Sequence, residues 1–191
     1  MSAREYAAEA VVWNRLAGLL AAGGDREEVQ ACWEIGEQEA GLELLVDRLL
    51  GQGTGVEESA RAELAVMAEQ WGEWEWLGMR IAALPHVGEE TGRLRVLQDG
   101  AEETWPAGFV LPEHPLAASV LVPWIVCAPC GRVLARAHRR EEWGSLSFLA
   151  EGYVVFGPGL APVVFLREEP GAAWEALAAM RNGCGCGCDR G

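Results

Sequence analysis

Two groups of cysteines could carry chemistry in this sequence. Cys127 and Cys130 stand as C-x-x-C in VCAPCGRVL, and Cys184, Cys186 and Cys188 alternate with glycine in the closing RNGCGCGCDRG. Two thiols at that spacing on a tight turn can point at one metal ion while nearby backbone amides satisfy their sulfurs. Gly131 follows Cys130 directly, where such turns often need a positive φ. A tetrahedral zinc site requires two more ligands. The tail offers three thiols about 54 residues on, and one C-x-C supplies two thiolates with a spare. The ligand set read from the sequence is Cys127 and Cys130 with two of Cys184, Cys186 and Cys188, and the cofactor is zinc. His138, eight residues past Cys130, and His114 are the substitutes. Two other readings compete: Cys127 as a small buried hydrophobe with Cys130 in a turn, and thiol redox chemistry. The redox reading is weaker because this C-x-x-C does not open a helix in a βαβ setting.

The tail has no intrinsic fold, since alternating glycine orders nothing by itself. Metal coordination is the leading account of it, followed by a metal- or redox-sensing segment. A third account is a modifiable peptide, because Gly-Cys repeats resemble the cores of ribosomally made, cysteine-heterocyclised peptides.

Composition narrows the setting. Half of the 191 residues are apolar, enough for a packed core. All basic residues are Arg, a pattern that fits GC-rich coding better than any chemistry. The opening MSAREYAAEA lacks the basic and apolar regions of a signal peptide. The longest apolar run, LAASVLVPWIVC (116–127), contains proline and is too short to span a bilayer. The expectation is a cytoplasmic protein whose cysteines are ligands, packed thiols or reactive thiols rather than disulfides. Residues 1–90 hold 18 Asp/Glu against 6 Arg, whereas residues 91–191 hold 11 against 9. The acidic first part would be repelled by nucleic acid and by anionic membranes, which leaves a basic protein partner or plain solubility as its use.

The first part, residues 1–84, has helical punctuation. Ser2/Glu5, Asp25/Glu28 and Thr54/Glu57 read as capping boxes, and glycines at 23–24, 51–55 and 72 read as stops. Four helices forming a small bundle are predicted, the second running from about residue 25 to 50. Ile35, Leu42, Leu45 and Leu49 share one face of that helix, and Leu64, Met67, Ala68 and Trp71 one face of the next. Glu39, Glu43 and Asp47 stack at i, i+4 and i+8, three like charges that cost a few tenths of a kcal/mol per pair in an isolated helix. WGEWEW (71–76) sets Trp74 and Trp76 among carboxylates, a composition common at interfaces. Glu39, Glu43, Asp47, Trp74 and Trp76 are the candidate partner-binding residues. For the tryptophans, packing inside the protein competes with that reading.

The stretch GEQEAGLELLVDRLLGQGTGVEESARAELAVMAEQWG (36–72) resembles the small helical immunity proteins of bacterial contact-dependent and polymorphic toxin systems. It shares a GE-x-E opening, an Ala- and Leu-rich helix, a short polar turn and an LA…A…G second helix. The resemblance covers about a fifth of the chain and implies a binder that neutralises a cognate toxin. CAPCG (127–131) resembles half of a zinc ribbon.

After a linker at 85–93 the pattern changes to short β-prone runs at 93–98, 108–111, 119–126, 131–138, 152–157 and 162–167, with a DG turn signal at 99–100. Residues 171–182 read as a closing helix, and 183–191 as a flexible Cys/Gly tail. Residues 94–182 thus form a small, mostly antiparallel sheet with one C-terminal helix, and the whole chain is α+β. Arg136, Arg139 and Arg140, facing Glu141 and Glu142, read as a solvated polar turn. No G-x-G-x-x-G, P-loop, H-E-x-x-H or G-x-S-x-G occurs, so catalysis is not expected. Three functions compete: a toxin-neutralising binding protein using its acidic helical face, a zinc-stabilised interaction module, and a cysteine-dependent redox or metal sensor.

Overall fold

A computed structural model describes residues 3–21, 23–87, 94–98 and 114–182. Ser2 of the first capping box, the DG turn, the 108–111 run, linker residues 88–93 and the tail cysteines Cys184, Cys186 and Cys188 lie outside the described residues. The described residues form six α-helices and one five-stranded antiparallel sheet, an α+β fold. The chain divides into two compact units, 1–92 and 93–191. Among the described residues, no helix is long and apolar enough to cross a membrane.

The first unit contains α1 (Ala3–Ala17), α2 (Gly24–Glu34), α3 (Gln38–Gln52), α4 (Glu58–Gln70) and α5 (Trp74–Ala82). The single helix predicted over 25–50 is two helices. Gly36 breaks it at φ +83, with Glu37 N–H donating to Cys32 C=O at 2.9 Å and Gly36 N–H to Trp33 C=O at 3.2 Å. This is a left-handed helix stop that glycine adopts without a Cβ clash, and the same closure ends α3 at Gly53 and α4 at Gly72. The break removes Ile35 from the apolar stripe. It is 69% exposed, while Leu42, Leu45 and Leu49 are fully buried.

The predicted capping boxes at Asp25 and Thr54 do not form: α2 and α4 have no side-chain cap. Gly23 and Glu57 take the N-cap positions, which moves Asp25 into the first turn of α2. There it meets Arg48 at 3.1 Å and Gln52 at 2.8 Å on α3. Thr54 instead closes α3, its N–H donating to Leu49 C=O at 2.9 Å.

Every residue of α4 from Ala60 to Glu69 is buried, so this helix is the axis of the unit. Trp13 of α1 stacks on Trp33 of α2, ring centroids 5.3 Å apart, and Trp71 at the end of α4 lies 5.9 Å from Trp13. α3 approaches this cluster through Gly41, where an added Cβ would stand 2.8 Å from Cys32 Cβ and 3.0 Å from Trp13 Cη2.

The second unit is a meander of β1 (Leu94–Val96), β2 (Val120–Cys127), β3 (Arg132–His138), β4 (Gly152–Gly157) and β5 (Leu160–Leu166), each strand pairing with the next. A single turn of 3-10 helix at Pro115–Ala118 precedes β2. The final helix, α6 (Ala172–Asn182), packs across β3, β4 and β5. Pro123 cannot donate to a sheet ladder, and the β2–β3 register shifts by one residue beside it. That shift accommodates Trp124, which is fully buried 6.2 Å from Tyr153 with the Arg136 guanidinium 5.9 Å above its ring. Arg136 is therefore an interior β3 residue, 2% exposed, and not part of a solvated turn. Arg139 does fit that description, pairing at the surface with Glu141 and Glu151. Leu116, Leu121, Ala135, Ala137, Val154 and Phe156 form the core cluster.

Candidate functional site

The thiol pair sits at the turn of the β2–β3 hairpin. Cys127 pairs with Arg132 across the ladder, so Ala128, Pro129, Cys130 and Gly131 form the loop. Gly131, at φ +66, donates its N–H to Cys127 C=O at 2.9 Å and closes the turn. Cys127 is 1% exposed and Cys130 is half-buried. Burial first, and then a hydrogen bond with Cys127, push the Cys130 thiol above its ordinary value, while the backbone N–H of Arg132 acts in the other direction. This direction is opposite to the lowered pKa that marks an activated thiol. The hairpin does have the parts of a metal knuckle: two neighbouring sulfurs on a tight turn, with an amide donor already aimed at one of them.

The histidine substitutes are at the far end of the sheet. His138 pairs with Val120, six residues along β3 from the hairpin, about 20 Å at strand spacing. Its Nδ1 lies 2.8 Å from Ser147 C=O. His114 stands before the 3-10 turn that leads into Val120, its Nδ1 accepting from Leu116 N–H at 3.2 Å. Neither can join Cys127 and Cys130 on one metal. Among the described residues, no group of three or more His, Cys, Asp or Glu is placed to hold a metal ion.

The second candidate surface lies in the first unit. Glu39, Glu43 and Asp47 are all exposed along α3, and α5 packs beside that helix. Arg80 reaches across from α5, with Nη1 3.2 Å from Glu43 Oε1 and Nη2 paired to Asp47 Oδ1. One guanidinium between two carboxylates offsets the like-charge repulsion that the i, i+4 spacing creates. Trp76 and Met79 precede Arg80 by four and one residues, and they are 71% and 67% exposed. Trp76 therefore shares the helical face of Arg80.

Trp74 does not belong to this surface. It is 3% exposed, and its ring lies against Gly78, where an added Cβ would be 3.0 Å from Trp74 Cε2. The alternation in WGEWEW explains the difference, because residues two apart on a helix point about 200° from each other. Sequence reasoning missed Arg80 and Met79. The available signal was Arg80 four residues after Trp76, as the one basic residue of α5.

No protein-family model, curated protein or solved structure matches the chain.

Proposed function

We propose that this protein is a non-catalytic binding protein that engages a basic protein partner through the adjoining faces of α3 and α5, acting as an immunity protein toward a cognate toxin. One observation carries the reading: Arg80 joins α5 to Glu43 and Asp47, linking an acidic row to a helix that exposes Trp76 and Met79. Carboxylates supply long-range attraction for a basic surface, and an exposed Trp supplies the apolar anchor typical of interface hot spots. The charge imbalance supports the same direction, since residues 1–90 carry 18 acidic against 6 basic residues. Secreted toxins that act on nucleic acid need basic clefts, and an acidic inhibitor can occupy their phosphate sites. The toxin class comes from the resemblance of residues 36–72 to immunity proteins.

Co-expression with a basic, nucleic-acid-cleaving toxin tests this, and products of neighbouring reading frames are the first candidates to try. The wild-type chain is expected to restore growth. A variant with Glu39→Gln, Glu43→Gln and Asp47→Gln together is expected to lose that protection while staying folded. No protection by the wild type, or full protection by the triple variant, contradicts the reading.

A further inference from the structure

The thiol hairpin of the second unit plays no part in the binding face. Cys127 ends β2 between Leu94 of β1 and Arg132 of β3, its partners on either side of the ladder. It is 1% exposed, whereas Cys130 in the turn is half-buried, so solvent reaches the pair from the Cys130 side. The turn is held in place. Gly131 N–H closes it onto Cys127 C=O at 2.9 Å, and the β4–β5 turn stands against it. A Cβ on Gly131 would lie 3.4 Å from Pro158 Cγ, and one on Gly157 would lie 3.0 Å from Arg132 Cα and Cγ. Arg132 is thereby fixed beside the thiols, with its Nη1 3.5 Å from Met180 C=O in the last turn of α6. Two thiols in hydrogen-bond contact and one arginine share this corner of the sheet.

We propose that Cys127 and Cys130 bind one copper(I) ion as a two-coordinate bis-thiolate at the β2–β3 hairpin. A structural zinc site needs four donors, and among the described residues no third His, Cys, Asp or Glu is placed to join these two. Two thiolates satisfy a soft, monovalent d10 ion, and thiolate softness selects copper(I) over harder ions. Charge points the same way. Two thiolates on a monovalent ion leave one negative charge, and Arg132 is the cation across the ladder from Cys127. Burial first, and then the hydrogen bond with Cys127, keep Cys130 protonated in the free chain. The Arg132 backbone N–H and guanidinium charge act the other way, favouring the thiolate that the metal requires, and remain as outer-shell support. Loading is ligand exchange with no change in oxidation state: two S–H bonds break, two Cu–S bonds form, and two protons pass to the buffer.

The test uses the full-length chain with Cys184, Cys186 and Cys188 replaced by Ser, because those three thiols would compete for the same ion. Copper(I) is delivered anaerobically from its bicinchoninate complex, and X-ray absorption counts the sulfur neighbours. The expected result is one copper(I) per chain, two sulfur neighbours and two protons released. Affinity should rise about a hundredfold per pH unit while both thiols are protonated, a signature of two displaced protons that needs no change at the hairpin. Adding Cys130→Ser, at the half-buried position, should weaken binding by more than the 10–100-fold that loss of an outer-shell partner typically costs, with an unchanged far-UV circular dichroism spectrum. No bound copper(I), equal affinity after Cys130→Ser, or release of a single proton overturns the proposal. Retention of zinc in preference to copper(I) also overturns it, as does half an ion per chain with four sulfur neighbours, which would place the hairpins of two copies on one metal.

Discussion

Arg61 donates from Nη2 to the carbonyl oxygen of Leu84 at 2.9 Å, joining α4 to the segment that ends α5. The same guanidinium reaches the carbonyls of Ala82 at 3.3 Å and Pro85 at 3.5 Å, and also that of Ile81, while Nε bonds Glu58 at 2.9 Å. The last carbonyls of a helix have no partner within it, and here one buried arginine, 4% exposed, supplies the donors. Removing it strands several carbonyls and leaves the partly buried Glu58 with only His86 Nδ1, 3.3 Å away, in place of a permanently charged partner. Arg61→Ala is expected to cost about 3–5 kcal/mol in urea unfolding. Arg61→Lys should recover only part of that, because an ammonium cannot fork across four carbonyls and a carboxylate. A loss below about 1 kcal/mol for Arg61→Ala would show that this clamp contributes nothing beyond a surface pair.

Gly41 sets a contest between two effects of opposite sign. In an exposed helix interior, glycine to alanine stabilises by up to about 1 kcal/mol. At Gly41 the new methyl would meet Cys32 Cβ and Trp13 Cη2 at 3.0 Å or less. Overpacking of a closed core typically costs about 1–3 kcal/mol, so Gly41→Ala is expected to be net destabilising. A rise in melting temperature would mean that α3 can move away from the tryptophan cluster.

The class of the fold was legible because capping-like residues, helical periodicity and alternating apolar runs change together along the chain. The break at Gly36 was not, since the leucine stripe of α3 can be extended back to Ile35 on paper. What decides is the left-handed conformation at Gly36, which leaves Ile35 in water. Asp25 and Thr54 have N-cap chemistry but serve an ion pair and a helix stop, because the helices begin a few residues away from them. The thiol hairpin could be read directly, as local spacing determines it. The bridge from Arg80 to α3, and that from Arg132 to Met180, join residues 33 or more positions apart, which a linear pattern does not reveal.

Trp74 and Trp76 should separate cleanly. Trp74→Ala removes a buried ring and is expected to cost about 3–5 kcal/mol of stability. Trp76, 71% exposed, should change stability by no more than about 0.5 kcal/mol on replacement by Ala, while weakening partner binding at least tenfold. Differential scanning calorimetry and a binding titration on the same preparations check both halves. Similar stability losses for the two variants would argue against the assigned faces.

Arg80 should matter little for stability and more for recognition. Its pairs with Glu43 and Asp47 are solvent-exposed, so Arg80→Gln is expected to cost less than about 1 kcal/mol. The substitution also removes one positive charge from the acidic row, so association with a basic partner should accelerate at low salt. Stopped-flow association of wild type and variant would show it, and a slower rate in the variant would count against an electrostatically steered face.

The central claim is that the acidic row on α3 steers a basic partner onto the protein. Its most direct measurement is the association rate between the purified chain and the basic toxin proposed as its partner, followed from low to high ionic strength. The account predicts a steep fall in rate with salt for the wild type, and a much shallower dependence when Glu39, Glu43 and Asp47 are all replaced by Gln. A salt-independent rate, or the same slope in the triple variant, would contradict it.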